Sequence, residues 1–234
     1  MKKCVYCGKE AKKITSDHIP PKGLFAKPYE GLITVPCCHA CNSRSYKDDE
    51  YLRTVIAMNQ EVSENPDIAR LWPQVKKGLT RPQSKKFFNS ILRCMELIPV
   101  HTTSGRIVGH LLSIDVDLPR LNSVIERTMR GLYFHHRGRI LSTSVETHAY
   151  ALDSFQEQVQ LAEVKEVIVR LQHTTKVHAI NRGAFVYHIH FPAPGVDNGV
   201  FACSIYGKIH FIGFFKQIVS PKKEGKEEKS VGEV

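Results

Sequence analysis

Two pairs of cysteines, Cys4-x-x-Cys7 and Cys38-x-x-Cys41, flank the dipeptide Asp17-His18, and Asn42 follows the last thiol directly. Two knuckles of this kind, about thirty residues apart, can set four thiolates in a tetrahedron around Zn²⁺, a closed site with no position left for substrate. Asp17 and His18 add chemistry that a scaffold metal does not need: a hard oxygen donor beside a base that titrates near neutral pH. Asn42 offers a further oxygen donor, or else an N-cap for the helix that starts there. A scaffold metal and a catalytic pair thus share one short segment.

These groups need elements to hold them. Gly8 permits the positive φ of a knuckle turn. A strand at residues 14–18 would send Asp17 and His18 to alternate faces, and Pro20-Pro21 ends it by withholding ladder donors. Residues 22–31 read as a loop and residues 32–35 as the partner strand of a hairpin. The stretch from Cys38 to Asn42 then opens a helix carrying Tyr46, Leu52, Val55, Ile56 and Asn59 at three- and four-residue spacings. The N-terminus of that helix, facing the site, favours an incoming phosphate. Cys37 lacks the spacing of a ligand and reads as a buried thiol, and His39 as a solvated residue inside the knuckle. Asp49 and Glu50 are either solvated helix residues or auxiliary metal contacts. Arg44 and Lys47 are placed to meet substrate phosphate, although such charges are common on any helix.

The order Cys-x-x-Cys, Asp-His, Cys-x-x-Cys-Asn resembles the His-Asn-His (HNH) endonuclease superfamily, in particular its zinc-stapled ββα-metal members of the phage endonuclease VII kind. The resemblance covers roughly residues 1–55. It implies a zinc scaffold on Cys4, Cys7, Cys38 and Cys41, and a catalytic set of Asp17, His18 and Asn42. In that set Asp17 and Asn42 bind one Mg²⁺, for which Mn²⁺ can substitute, and His18 is the general base. No histidine follows Asn42 on its helix, which departs from colicin-type members and favours the Asp/Asn ligand set. The implied activity is metal-dependent hydrolysis of DNA phosphodiester bonds, in bacterial or phage DNA processing or defence. Double-stranded DNA is the implied partner, with a homo-oligomer or a regulatory protein left open. The alternative is a zinc-stapled nucleic-acid-binding module without catalysis.

Composition agrees with a polyanionic partner. The chain has 234 residues, 42% hydrophobic and 24% charged, with a formal charge of +10. Lys and Arg in such excess gain affinity for nucleic acid by releasing phosphate counterions. Seven cysteines are an odd number, and Met-Lys-Lys-Cys-Val-Tyr-Cys has no apolar leader, so reduced thiols and a cytoplasmic location are expected. No run of eighteen apolar residues predicts a membrane span.

The expected fold class is α+β. A ββα-metal unit occupies residues 1–58, a mixed α+β domain with a C-terminal antiparallel hairpin residues 59–219, and a disordered charged tail residues 220–234. Within the second region, Trp72 reads as a packing anchor. A helix from Ser84 is expected to present Phe87, Phe88, Ile91, Leu92, Met95 and Ile98 on one face. A strand follows at 106–117, and a helix from Pro119 buries Leu121, Val124, Ile125, Met129 and Leu132. Further expectations are a strand in 139–151, a helix over 154–171, and strands at 184–191, 199–206 and 208–215, the last two joined at Gly207. His188 and His190 share a strand face that His210 could approach, giving either a second metal site or a half-solvated face. His135-His136-Arg137-Gly138-Arg139 is a basic cluster at a helix end.

Overall fold

The computed structural model describes residues 2–152 and 161–218. The charged tail and the first part of the helix expected from residue 154 lie outside them.

A two-residue ladder of β1 (Lys2–Lys3) and β2 (Glu10–Ala11) closes the first knuckle. The hairpin follows as β3 (Ile14–Ile19) and β4 (Ile33–Cys38), antiparallel, with Asp17 opposite Val35 and His18 opposite Thr34. Strand β4 runs directly into α1 (His39–Met58), because Cys38 keeps extended backbone while it caps the helix. Next come α2 (Pro66–Leu79), started by the Asn65 side chain accepting from the Asp67 N–H at 2.9 Å, and the short α3 (Lys85–Arg93). Trp72 on α2 is 39% exposed and so is not an enclosed anchor.

The helix expected from Ser84 is a correction. Ser84 makes no capping bond, and the helix stops at Arg93, so Met95 and Ile98 never join its face. They belong to β5 (Met95–His101), which pairs with β6 (Ile107–Ile114) from Met95 opposite Ile114 onward. Apolar residues that alternate on a ribbon and those that recur on a helix overlap over so short a run. Pro99, which cannot donate within a helix, marks the difference. The ribbon forms a separate two-stranded sheet with Leu97 and Val108 more than half exposed.

Helix α4 (Leu118–Arg137) is the spine of the molecule. Its stripe of Leu121, Val124, Ile125, Met129 and Leu132 is fully buried, as the spacing predicts. It packs on α1, on the β3–β4 hairpin, and on β7 (Val145–Ala151). The remaining elements are α5 (Leu161–Thr174), β8 (His178–Ile180), β9 (Phe185–His190), β10 (Gly199–Ile205) and β11 (Ile209–Gln217). The last four strands and β7 form one antiparallel sheet in the order β7-β11-β10-β9-β8. Strand β8 is too short to leave a periodicity in the sequence.

One apolar core links these layers, from Val5, Ile19, Leu52 and Ile56 through Ile125 and Met129 to Phe185 and Phe211. Val62, a few residues past the boundary expected after residue 58, is buried in it. A close join is between α4 and β3: a Cβ on Gly131 would stand 2.7 Å from Ile19 Cδ1 and Cγ2. Only a bare α-carbon lets the helix lie this close to the strand.

Candidate functional site

The thiols are positioned by backbone. Gly8 N–H donates to Cys4 O at 2.9 Å and Cys4 N–H to Lys9 O at 3.0 Å, folding the first knuckle around Gly8 at φ 68°. The second knuckle is the start of α1, where Cys38 and Cys41 lie one turn apart. The four Sγ atoms lie within 4.8 Å of one another, and Cys7 and Cys38 are 3.9 Å apart. A tetrahedron with Zn–S bonds of about 2.3 Å has edges of about 3.8 Å, so this cluster can hold a zinc ion. Burial opposes a thiolate at Cys4, but backbone donors from Cys38, Cys7 and Tyr6 outweigh it and bring its pKa down to about 6. The thiolate is the form a metal binds. Cys37 is fully buried outside the cluster, its S–H directed at Cys38 O, and burial pushes its thiol up to about 12. His39 is exposed beside Ser43 and is not a ligand of the cluster.

Asp17 is 8% exposed, an unusual position for a carboxylate unless it is paired. Its Oδ2 accepts from the Tyr6 hydroxyl at 2.8 Å and lies 3.8 Å from Arg127 Nη1. Arg127, on α4, also donates from Nη2 to Asp49 Oδ1 at 2.5 Å. Its Nε and Nη1 are buried without a hydrogen-bond partner, and its guanidinium sits 5.9 Å from the Tyr6 ring centre. Asp49 is therefore neither a solvated helix residue nor a free metal contact, because Arg127 occupies it. Burial pushes the Asp49 carboxyl up against the opposing pull of Arg127. Glu50 lies 3.5 Å from Arg53.

Asn42 is the fourth residue of α1, so it does not cap the helix. Its Nδ2 donates to Thr15 Oγ1 at 3.3 Å, while Thr15 gives its own proton to Cys37 O at 2.9 Å. Thr15 can then only accept from Asn42, which turns the amide oxygen the other way. Thr15 and Asp17, about 7 Å apart along β3, share one face of it, so Asn42 and Asp17 address the same side of the hairpin. That side carries the Asp17 carboxylate and the Asn42 amide. His18 points to the opposite face and is half-buried. Burial lowers its pKa, Lys22 lowers it further, and Asp17 opposes them.

Arg44 is exposed on α1 and lines a cleft of about 580 Å³ with Arg127 and Arg130, between α1, α4 and β7. Lys47 is exposed, and its carbonyl accepts from Arg120. Tyr6, Arg127 and the pairing of Asp49 with Arg127 form the part of this site that sequence reasoning missed. Arg127 is 78 positions from Asp49, and no local spacing connects them.

The histidines of the C-terminal sheet do not assemble into a trio. His188 lies opposite Ala202 and His210 opposite Ser204, so His210 is two strands away and offset along them. His188 Nδ1 pairs instead with Thr175 Oγ1 at 3.0 Å. Among the described residues the four thiols are the one group with metal-binding geometry.

Compared with protein-family models, curated proteins and solved structures, the chain matches none. Fold and site together define a mixed α+β protein with a four-cysteine cluster that can hold zinc. None of the described helices is long and apolar enough to cross a membrane.

Proposed function

We propose that this chain is a metal-dependent endonuclease of the HNH kind, cutting DNA phosphodiester bonds. The observation that carries the reading is the coupling of knuckle to carboxylate. The second cysteine pair fixes the first turn of α1, so Asn42 reaches Thr15 on the same strand face as Asp17. A purely structural zinc site gives no reason for that donor pair.

The proposed roles follow from the side chains. Asp17 Oδ1 and Asn42 Oδ1 would hold Mg²⁺, which when bound neutralises charge on a non-bridging phosphate oxygen and on the leaving group. The β3–β4 hairpin is only two strands wide, about 5 Å between strands, so a phosphate at its edge is open to groups on both faces. His18, kept neutral by burial and by Lys22, accepts a proton from water. The water oxygen attacks phosphorus opposite the 3′-oxygen. The P–O3′ bond breaks and that oxygen takes a proton from solvent, leaving a 5′-phosphate and a 3′-hydroxyl. Arg127 stands beside Asp17 and lines the adjacent cleft, so its charge would bear on a phosphate bound there. Arg44 and Lys47 would meet flanking phosphates.

A second reading rests on the ion pair of Asp17 with Arg127, which gives that carboxylate a structural task and suits a binding module without catalysis. Plasmid nicking separates the two. The wild type should nick in Mg²⁺ and lose nicking in EDTA at levels that spare zinc. Asp17→Ala, His18→Ala and Asn42→Ala should each lose at least 100-fold while retaining one zinc per chain by atomic absorption. Undiminished nicking by His18→Ala removes the base, and a wild type that binds DNA without cutting leaves the binding module.

A further inference from the structure

A different part of α4 carries a second feature. At its C-terminal end, Arg137 meets Lys176 from the connection between α5 and β8, His178 from the start of β8, and His190 from the end of β9, around an open cleft of about 380 Å³. Among the described residues that line it there is no carboxylate. The other arginines near α4 have partners within the protein. Arg120 is paired with Asp48, Arg127 with Asp49 and Asp17, and Arg139 with Asp197, while Arg130 donates to Thr147 and to Val145 O. Arg137 and Lys176 form no ion pair among the described residues. Arg137 is nonetheless fixed, its guanidinium 4.7 Å from the Phe191 ring centre and its Nη2 donating to Ala193 O at 3.2 Å. A helix C-terminus attracts cations from its own last turn. That accounts for His135, His136 and Arg137, but not for Lys176, His178 and His190, which other elements bring to the same place.

We propose that this cleft binds a phosphate group, and that the phosphate belongs to a nucleic-acid strand whose neighbouring part reaches Asp17 and Arg127. The second half of this statement rests on the endonuclease reading. Arg127 and Arg137 are ten residues apart on one helix, about 15 Å, which a duplex covers in about four base-pair rises. A contact at Arg137 and Lys176, at that distance from the Asp17 site, would fix the direction and register of a backbone without reading its sequence.

The test is binding in the absence of Mg²⁺, so that cutting plays no part in the readout. Fluorescence anisotropy with a labelled 20-base-pair duplex, from 50 to 200 mM salt, compares the full-length wild type with Arg137→Ala/Lys176→Ala. Matching circular dichroism and zinc content certify the fold of the variant. The proposal expects duplex affinity to fall about tenfold or more at low salt, and the slope of log K against log salt to shrink by about 2. Titrations with inorganic phosphate and with ATP form the second arm. An unchanged duplex slope overturns the proposal, and so does a loss confined to phosphate or ATP, which would make the cleft a site for a free ligand. A reduced slope in a protein that never nicks DNA keeps the cleft as a strand contact and removes only the endonuclease reading.

Discussion

At the scale of single residues, Arg127 decides most. A buried guanidinium lies between the carboxylates of Asp17 and Asp49; desolvation lowers its pKa, but the field of the two acids outweighs that and raises it. Replacing such a group leaves the acids facing each other without a cation. Arg127→Met should therefore lower unfolding stability by about 3 kcal/mol in urea titrations, and Asp49→Asn in the same background should return part of it. Equal stability of Arg127→Met and wild type would mean that water, not Arg127, solvates the pair. None of this was legible beforehand. The sequence marks the four thiols by their two-residue spacing and Asp17-His18 by composition, but ion pairs made across a fold leave no local pattern. Asn42 was legible as a residue of the site and not in its hydrogen bond, which needs Thr15 and Cys37 to be read together.

Elements were more legible where one face is buried throughout. The α4 stripe, the β3–β4 hairpin ended by Pro20-Pro21, and the closing hairpin at Gly207 all follow from periodicity and turn chemistry. The failure at α3 came where apolar residues persist on a ribbon that is exposed on both faces, so that burial no longer selects a period. Packing between elements is set by contacts finer than periodicity. In Gly131→Ala, helix propensity gains about 1 kcal/mol, yet the added methyl must displace Ile19, which is buried and cannot swing aside. Overpacking of about 1–3 kcal/mol should win, giving a net loss near 1 kcal/mol, and Ile19→Val beside it should relieve the loss. A stabilised Gly131→Ala, read by thermal denaturation, would show that strand and helix can separate at little cost.

At the scale of the whole molecule, the core joins the knuckle segment to the C-terminal sheet through α4. Urea unfolding followed by far-ultraviolet circular dichroism and by Trp72 fluorescence should give coincident midpoints. Two separated transitions would instead assign residues 1–58 a stability of their own. Length and charge pointed to a polyanion, but they could not say which cations remain free of internal acids. That division appears only when Arg120, Arg127 and Arg139 are seen with their partners and Arg137 without one.

The contact between Ile19 and Gly131 also bears on protein engineering. A chimaera that grafts residues 1–58 onto an unrelated acceptor must supply, opposite Ile19, a helix with no side chain at the crossing point. An acceptor with even an alanine there would push the strand bearing Asp17 and His18 outward. Swapped versions would then keep the four-cysteine cluster and still present these groups displaced from their place beside the helix.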